Sequence, residues 1–334
     1  MAELKNRVSL CIDDLEEMLG VARLPVAVNA AESDFFSEVD RIAAEIARNA
    51  KLRAVFISGP TASGKTTFTA RMVEKLEELG RSALCFSLDN YYNVGAPSFD
   101  KDGRPDYESI STLDVALLKS DMRRLLAGEG VRLSEFFFGD GGRRAVAAEE
   151  VLLPKGAILL VEGLHGLAPE ISGVLPREER AGIFLLPWGG LVSDARLLES
   201  RDVRLLRRLV RDARHRGSGA LATIDYWPMV VQSEQSCFAR YLRNADFYMN
   251  TMLRYEPLVT AAVALADIRE DLRAYEEGRL APSSFITKHR DTGDGFADIE
   301  RALAHARMLT ESLAQIPAAD MDIVPDCSIL NEFI

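Results

Sequence analysis

Gly59, four intervening residues, then Gly64, Lys65 and Thr66 stand in the run FISGPTASGKTTF. The spacing suits an anion. Glycines let successive backbone N–H groups turn inward on phosphate oxygens, and the N-terminus of a following helix adds its dipole. Lys65 is placed to reach the β- and γ-phosphates of a nucleotide, and the Thr66 hydroxyl to ligate Mg²⁺. Gly59, Pro60, Thr61, Ala62, Ser63, Gly64, Lys65, Thr66 and Thr67 are therefore the expected nucleotide seat. The plainer reading is a glycine-rich turn with a surface lysine. It is disfavoured by the strand-like run before the loop and the helical run after it.

Two carboxylates belong with such a loop. Glu162 closes the run AILLVEG after four apolar residues, where it can serve a metal ion or its water shell. Asp89, in CFSLDNYY, emerges on the same sheet edge, where an acceptor hydroxyl has to be oriented. An aspartate near pKa 4 is a weak base. In a loose phosphoryl-transfer transition state, however, position matters more than basicity, so Asp89 is the candidate base. The plainer readings are a strand-end carboxylate and a turn cap. Eight arginines lie between Arg196 and Arg216. Leu205, Leu206, Leu209 and Val210 form one face of that segment; Arg204, Arg208 and Arg211 share another. Such a helix is suited to close as a lid whose guanidiniums clamp phosphate, or else to lie solvated and paired with some of the 51 carboxylates.

The elements that must position these groups follow from periodicity. RAVFIS (53–58), SALCFSL (82–88), AILLVEG (157–163), AGIFLL (181–186) and ADFYMNT (245–251) read as strands. Phe68, Met72, Leu76 and Leu79 mark a helix after the loop, ending at Gly80. Phe36, Val39, Ile42, Ala43 and Ile46 mark another over 33–49, with Ser33 as its cap. Further helices are predicted around 112–127, 256–278 and 296–316, and a hairpin within VRLSEFFFGDGGRRAVAAEEVLL. Strands alternating with helices predict an α/β, doubly wound parallel sheet of about five strands. The long interval 89–156 suits a substrate subdomain. The tail PAADMDIVPDCSILNEFI is expected to lie along the surface.

Composition bounds the partners. The chain has 334 residues, 48% hydrophobic, with a net charge of -11, which disfavours a nucleic-acid partner. The first residues carry no signal-peptide core, and no apolar run is long enough to span a bilayer. Four scattered cysteines suit reduced thiols, so a cytoplasmic protein is expected.

With these residues in place, the sequence resembles the uridine kinase and phosphoribulokinase group of P-loop kinases, above all uridine kinase and its longer relatives. GPTASGKTT, SLDNYY, RPDYES, LLVEGLHGL and DVRLLRRLVRDARHRG occur in the family's order; TIDYWPMV and YLRNADFYMNT resemble later blocks of the longer members. The resemblance covers about residues 35–255. It implies a P-loop fold with a hairpin subdomain and an arginine-rich lid. It also implies ATP and Mg²⁺ as donor and metal, and uridine or cytidine as acceptor through the 5′-hydroxyl. On that pattern Asp89 is the base, Thr66 and Glu162 serve the metal, and Asp106 with Arg208 binds ribose hydroxyls. Arg211 and Arg216 contact phosphates, while Tyr92 and Phe136 shape the acceptor pocket. The implied division is an N-terminal helical extension (1–50), a kinase core (51–255, with the insert at 89–156 and the lid at about 194–220), and a C-terminal extension with tail (256–334). A homo-oligomer is compatible with the resemblance.

The chain departs from the pattern where the base is read. In SEFFFGDGGRR, Phe136 keeps an aromatic ring without a hydroxyl, and Gly141 falls where the family has a histidine. RGSG replaces a basic lid position, and VVQSEQS a basic stretch after the tryptophan block. A kinase of another sugar or sugar-phosphate hydroxyl therefore stays open, as does an ATP-binding regulatory module without efficient transfer. GPTASGKT alone also resembles tRNA dimethylallyltransferases, but nothing after SLDNYY continues their pattern, and the acidic balance disfavours tRNA.

Overall fold

The structure is a computed structural model that describes residues 7–93, 97–137, 143–193, 196–286 and 295–334. β1 (Val8–Cys11) leads into α1 (Ile12–Met18) and α2 (Arg23–Arg48), then β2 (Ala54–Ser58), α3 (Lys65–Glu78) and β3 (Ala83–Ser87). The next stretch holds the short pair β4 (Ser98–Phe99) and β5 (Pro105–Asp106), α4 (Val115–Leu126), and the antiparallel pair β6 (Ser134–Phe137) and β7 (Arg143–Val146). β8 (Ile158–Glu162), α5 (Pro169–Ser172), β9 (Arg180–Leu186), β10 (Gly189–Val192), β11 (Arg196–Leu198), α6 (Ser200–His215), α7 (Ala220–Asn244), β12 (Phe247–Asn250), α8 (Glu256–Glu276) and α9 (Ile299–Leu313) follow.

β12, β9, β2, β8 and β3 lie side by side in that order, every neighbouring pair parallel. All five are the strands expected from their short apolar runs. Alternation along each strand separates two cores. Val55, Ile57, Leu160, Ile183 and Leu185 face the side covered by α2, α3, α6, α8 and α9. Ala54, Phe56, Leu159, Val161 and Phe184 face the side covered by α4 and α5, with Tyr241 near the end of α7. A doubly wound sheet brings the carboxyl ends of its strands to one edge, and the site is built there.

Two expectations need correction. α2 begins ten residues earlier than predicted, at Arg23, and Ser33 sits exposed within it instead of capping it. Val28 and Ala31 extend the buried stripe of Phe35, Val39 and Ile42, and Pro25 falls in the first turn, where no intrahelical N–H is required. The tail lies along the surface only as far as about residue 327. Ile329, Leu330 and Phe333 have no exposed area and join the core beside α3 and Arg207 of α6. Each such burial is worth roughly 1.5–3 kcal/mol before entropy, so the segment is packed in.

Candidate active site

The loop between β2 and α3 keeps its shape through both glycines and outside help. A Cβ on Gly59 would stand 2.5 Å from the Leu185 carbonyl oxygen and 2.7 Å from Ser63 Oγ, so only glycine fits. Gly64 adopts φ 83° and caps α3 in the left-handed region. Ala62 also has a positive φ, 56°, without being glycine. Such a backbone costs on the order of 1–3 kcal/mol and persists only where its surroundings hold it.

Here the surroundings are α6 and α7. Arg207 Nη1 donates to the Ala62 carbonyl (3.3 Å), and Arg204 Nε to the Thr61 carbonyl (3.1 Å). Arg208 Nη1 donates to Thr61 Oγ1 (3.3 Å), while Glu234 Oε1 accepts from Thr61 N–H (3.2 Å). Behind them, Arg204 pairs with Glu234, Arg207 with Glu256, and Arg208 with Glu108 and Asp212. The exposed lid face expected for Arg204, Arg208 and Arg211 is therefore corrected. Arg204 and Arg208 are buried, the Arg211 side chain is only 12% exposed, and Arg211 donates twice to Asp212 Oδ1. The arginines go inside because each finds a buried carboxylate, which composition and helical spacing do not reveal. Arg216, at the end of α6, is exposed, 3.6 Å from Asp212 Oδ1.

At the carboxyl edge, the loop, Asp89 and Glu162 converge. Lys65 Nζ folds back to the Pro60 carbonyl (3.1 Å), and Thr66 is exposed in the first turn of α3. Glu162 ends β8 buried, and its Oε1 accepts from Ser87 Oγ (2.7 Å). Burial, then the charge of Asp89, pushes the Glu162 carboxyl up to about 7, against Lys65 and the Ser87 hydrogen bond. Asp89 is reached by solvent yet crowded by protein. Loss of hydration raises its pKa, Lys65 opposes this, Glu108 adds to it, and Arg216 and Arg211 oppose it. These six groups thus share one electrostatic neighbourhood.

The acceptor side is built from the insert. The Tyr92 ring lies 5.5 Å from that of Phe136, and its hydroxyl donates to the Tyr107 carbonyl (3.3 Å). Phe136 N–H donates to Asn90 Oδ1 (3.3 Å), tying β6 to the turn that carries Asp89. Gly141 lies outside the described residues. Asp106 accepts from Glu108 N–H (3.0 Å), and burial raises its carboxyl. Arg208, expected to act with Asp106, instead pairs with Glu108 Oε1 (3.2 Å) and lies over the Tyr226 ring (5.4 Å). Glu108, Tyr226 and Glu234 were not singled out by sequence reasoning. Each lies in a run singled out there (RPDYES, TIDYWPMV and VVQSEQS), but nothing within those runs marks its partner.

The residues fit a nucleotide's phosphates. Ser63 Oγ is buried in the loop with no hydrogen-bond partner among the described residues, a donor where phosphate oxygens are expected. A divalent cation fits Thr66 and Glu162, because it would relieve the penalty that burial and Asp89 place on the Glu162 charge.

A phosphate-cradling loop on a five-stranded parallel sheet, with carboxylates at the same edge, defines a P-loop phosphotransferase. No family model matches the chain. Uridine kinase of Deinococcus deserti is 33% identical over 162 residues, covering 48% of this chain and 69% of that protein. Uridine kinase of Halobacterium salinarum is 26% identical over 181 residues, covering 54% and 71%. Among solved structures, a "Possible Uridine Kinase" from Bacillus stearothermophilus is 15% identical, covers 65% of this chain and 99% of its own, and has a TM-score of 0.42. The chain belongs to the uridine kinase family. It is a phosphotransferase that passes a phosphoryl group from a nucleotide donor to a hydroxyl of a small nucleoside or sugar. Among the described residues no helix is long and apolar enough to cross a membrane.

Proposed function

We propose that the protein phosphorylates the 5′-hydroxyl of uridine or cytidine with ATP and Mg²⁺. The observation that carries the proposal is that β2, β8 and β3 bring the 59–67 loop, Glu162 and the turn with Asp89 to one carboxyl edge, where Ser87, two residues before Asp89, donates to Glu162 (2.7 Å). In this reading the backbone of residues 59–67 binds the donor's phosphates. Lys65, Arg211 and Arg216 balance charge that builds on the transferring group. Asp89 orients the acceptor hydroxyl and takes its proton late. Thr66 and Glu162 hold the metal, which supplies charge neutralisation between phosphates when bound. Asp106 and Arg208 meet the acceptor's ribose, Arg208 through Glu108, and Tyr92 and Phe136 flank its ring.

Glu108 favours keeping a second acceptor class in view. It is a further carboxylate beside Asp89, suited to hydrogen-bond another sugar hydroxyl. A transfer assay with ATP and Mg²⁺ over uridine, cytidine, other nucleosides, ribose and sugar phosphates, with Asp89→Asn as the blank, tests both readings. Turnover of uridine or cytidine that vanishes in the blank supports the proposal. Turnover of another acceptor alone replaces the substrate, and ATP binding without transfer to any acceptor makes the protein a nucleotide-binding module.

A further inference from the structure

The Glu332 carboxylate sits at the N-terminus of α3. Its Oε2 accepts from both the backbone N–H (3.2 Å) and the hydroxyl (3.1 Å) of Thr67, a first-turn residue of that helix. First-turn amides have no partner inside their own helix and attract anions. The chain's own carboxylate has taken this one.

The placement is built by the residues around it. The Ile329 side chain covers Gly64 so closely that a Cβ there would stand 2.2 Å from Ile329 Cδ1. The Phe333 ring lies 4.9 Å from the Arg207 guanidinium, which also donates to the Ala62 carbonyl. Arg71 Nη2 donates to the Cys327 carbonyl (3.3 Å). Ser328 Oγ accepts from Leu330 N–H and lies 3.3 Å from the Tyr255 hydroxyl, which donates to the buried Glu32 (2.6 Å). Apolar side chains anchor the strap while its one acidic side chain, Glu332, reaches Thr67. Ser63 Oγ, buried and without a hydrogen-bond partner among the described residues, leaves a second donor for an anion in the same loop.

We infer that residues 328–334 form a strap that competes with the nucleotide, the Glu332 carboxylate holding the Thr67 donors that a phosphate oxygen needs. The inference rests on the reading of residues 59–67 as the phosphate seat. Two anions cannot share those donors, so full seating of the donor's phosphates requires Glu332 to let go. Apparent nucleotide affinity is then the intrinsic affinity multiplied by the fraction of molecules whose strap is released. A ligand or partner that binds the released strap would raise donor affinity without touching the acceptor pocket.

Two measurements test the strap. The first is calorimetric titration of ATP into the wild-type chain and into Glu332→Gln, which keeps the size and removes the charge. Binding about fivefold tighter in Glu332→Gln is expected from removing an anion at a helix N-terminus; equal or weaker binding overturns the strap. The second needs no variant: amide hydrogen exchange over 328–334 in the wild-type chain, with ATP, inorganic triphosphate or adenosine. Faster exchange with ATP and triphosphate but not with adenosine supports competition for the phosphate seat. Unchanged exchange at saturating ATP overturns it. Lys65→Ala separates the two readings, since undiminished ATP binding in that variant would remove the phosphate seat itself.

Discussion

His165 Nε2 lies 2.9 Å from the backbone carbonyl of Glu108, while Nδ1 lies 2.6 Å from the Tyr241 hydroxyl. A carbonyl only accepts, so the proton sits on Nε2 and Nδ1 accepts from the tyrosine. The ring is neutral and buried, and it pins the backbone of the residue whose carboxylate meets Arg208.

Burial lowers the His165 pKa from 6.5 to about 4. The unfolded chain therefore binds one more proton than the folded chain between those values. Stability from this group is complete above pH 6.5 and is lost as pH falls towards 4, by about 3 kcal/mol at most. His165→Gln keeps a donor for Glu108 without titrating. Urea unfolding of this variant between pH 4 and 7 should show a shallower acid loss than wild type; parallel curves would exclude His165 as the source.

Asp89→Asn should leave the ATP dissociation constant nearly unchanged while cutting turnover about 10²-fold or more. Steady-state kinetics beside a binding titration reads both. Unchanged turnover would remove Asp89 from the chemistry.

Lys65→Ala should weaken nucleotide binding and lower turnover together, because one ammonium serves both ground-state phosphates and developing charge. A wild-type KM for ATP with normal kcat would contradict the loop assignment.

Arg207 and Glu256 are both fully buried and joined by two hydrogen bonds of 2.6 and 2.7 Å. Glu256→Gln leaves a buried guanidinium without its counter-charge and should cost about 3–5 kcal/mol. Chemical denaturation measures the loss. A smaller loss in the double variant Arg207→Met/Glu256→Leu would locate the penalty in the orphaned charge.

Most of the sheet was legible because each strand is a short apolar run next to turn residues, and the loop because its glycines repeat a spacing that phosphate geometry requires. α6 was legible as a helix but not as a support. Helical spacing places Arg204, Arg208 and Arg211 together, yet their partners Glu234, Glu108 and Asp212 come mostly from other parts of the chain. Pairings across 30 or 100 residues leave no local trace. The tail was misread for the same reason: ILNEFI contains its apolar anchors, but nothing in it says that α3 and Arg207 receive them.

The strained Ala62 turn, gripped from behind by three guanidiniums, has a kinetic meaning. A loop already locked into its anion-ready shape owes no ordering entropy when a nucleotide arrives. Any delay in capture must then come from something that has to move aside.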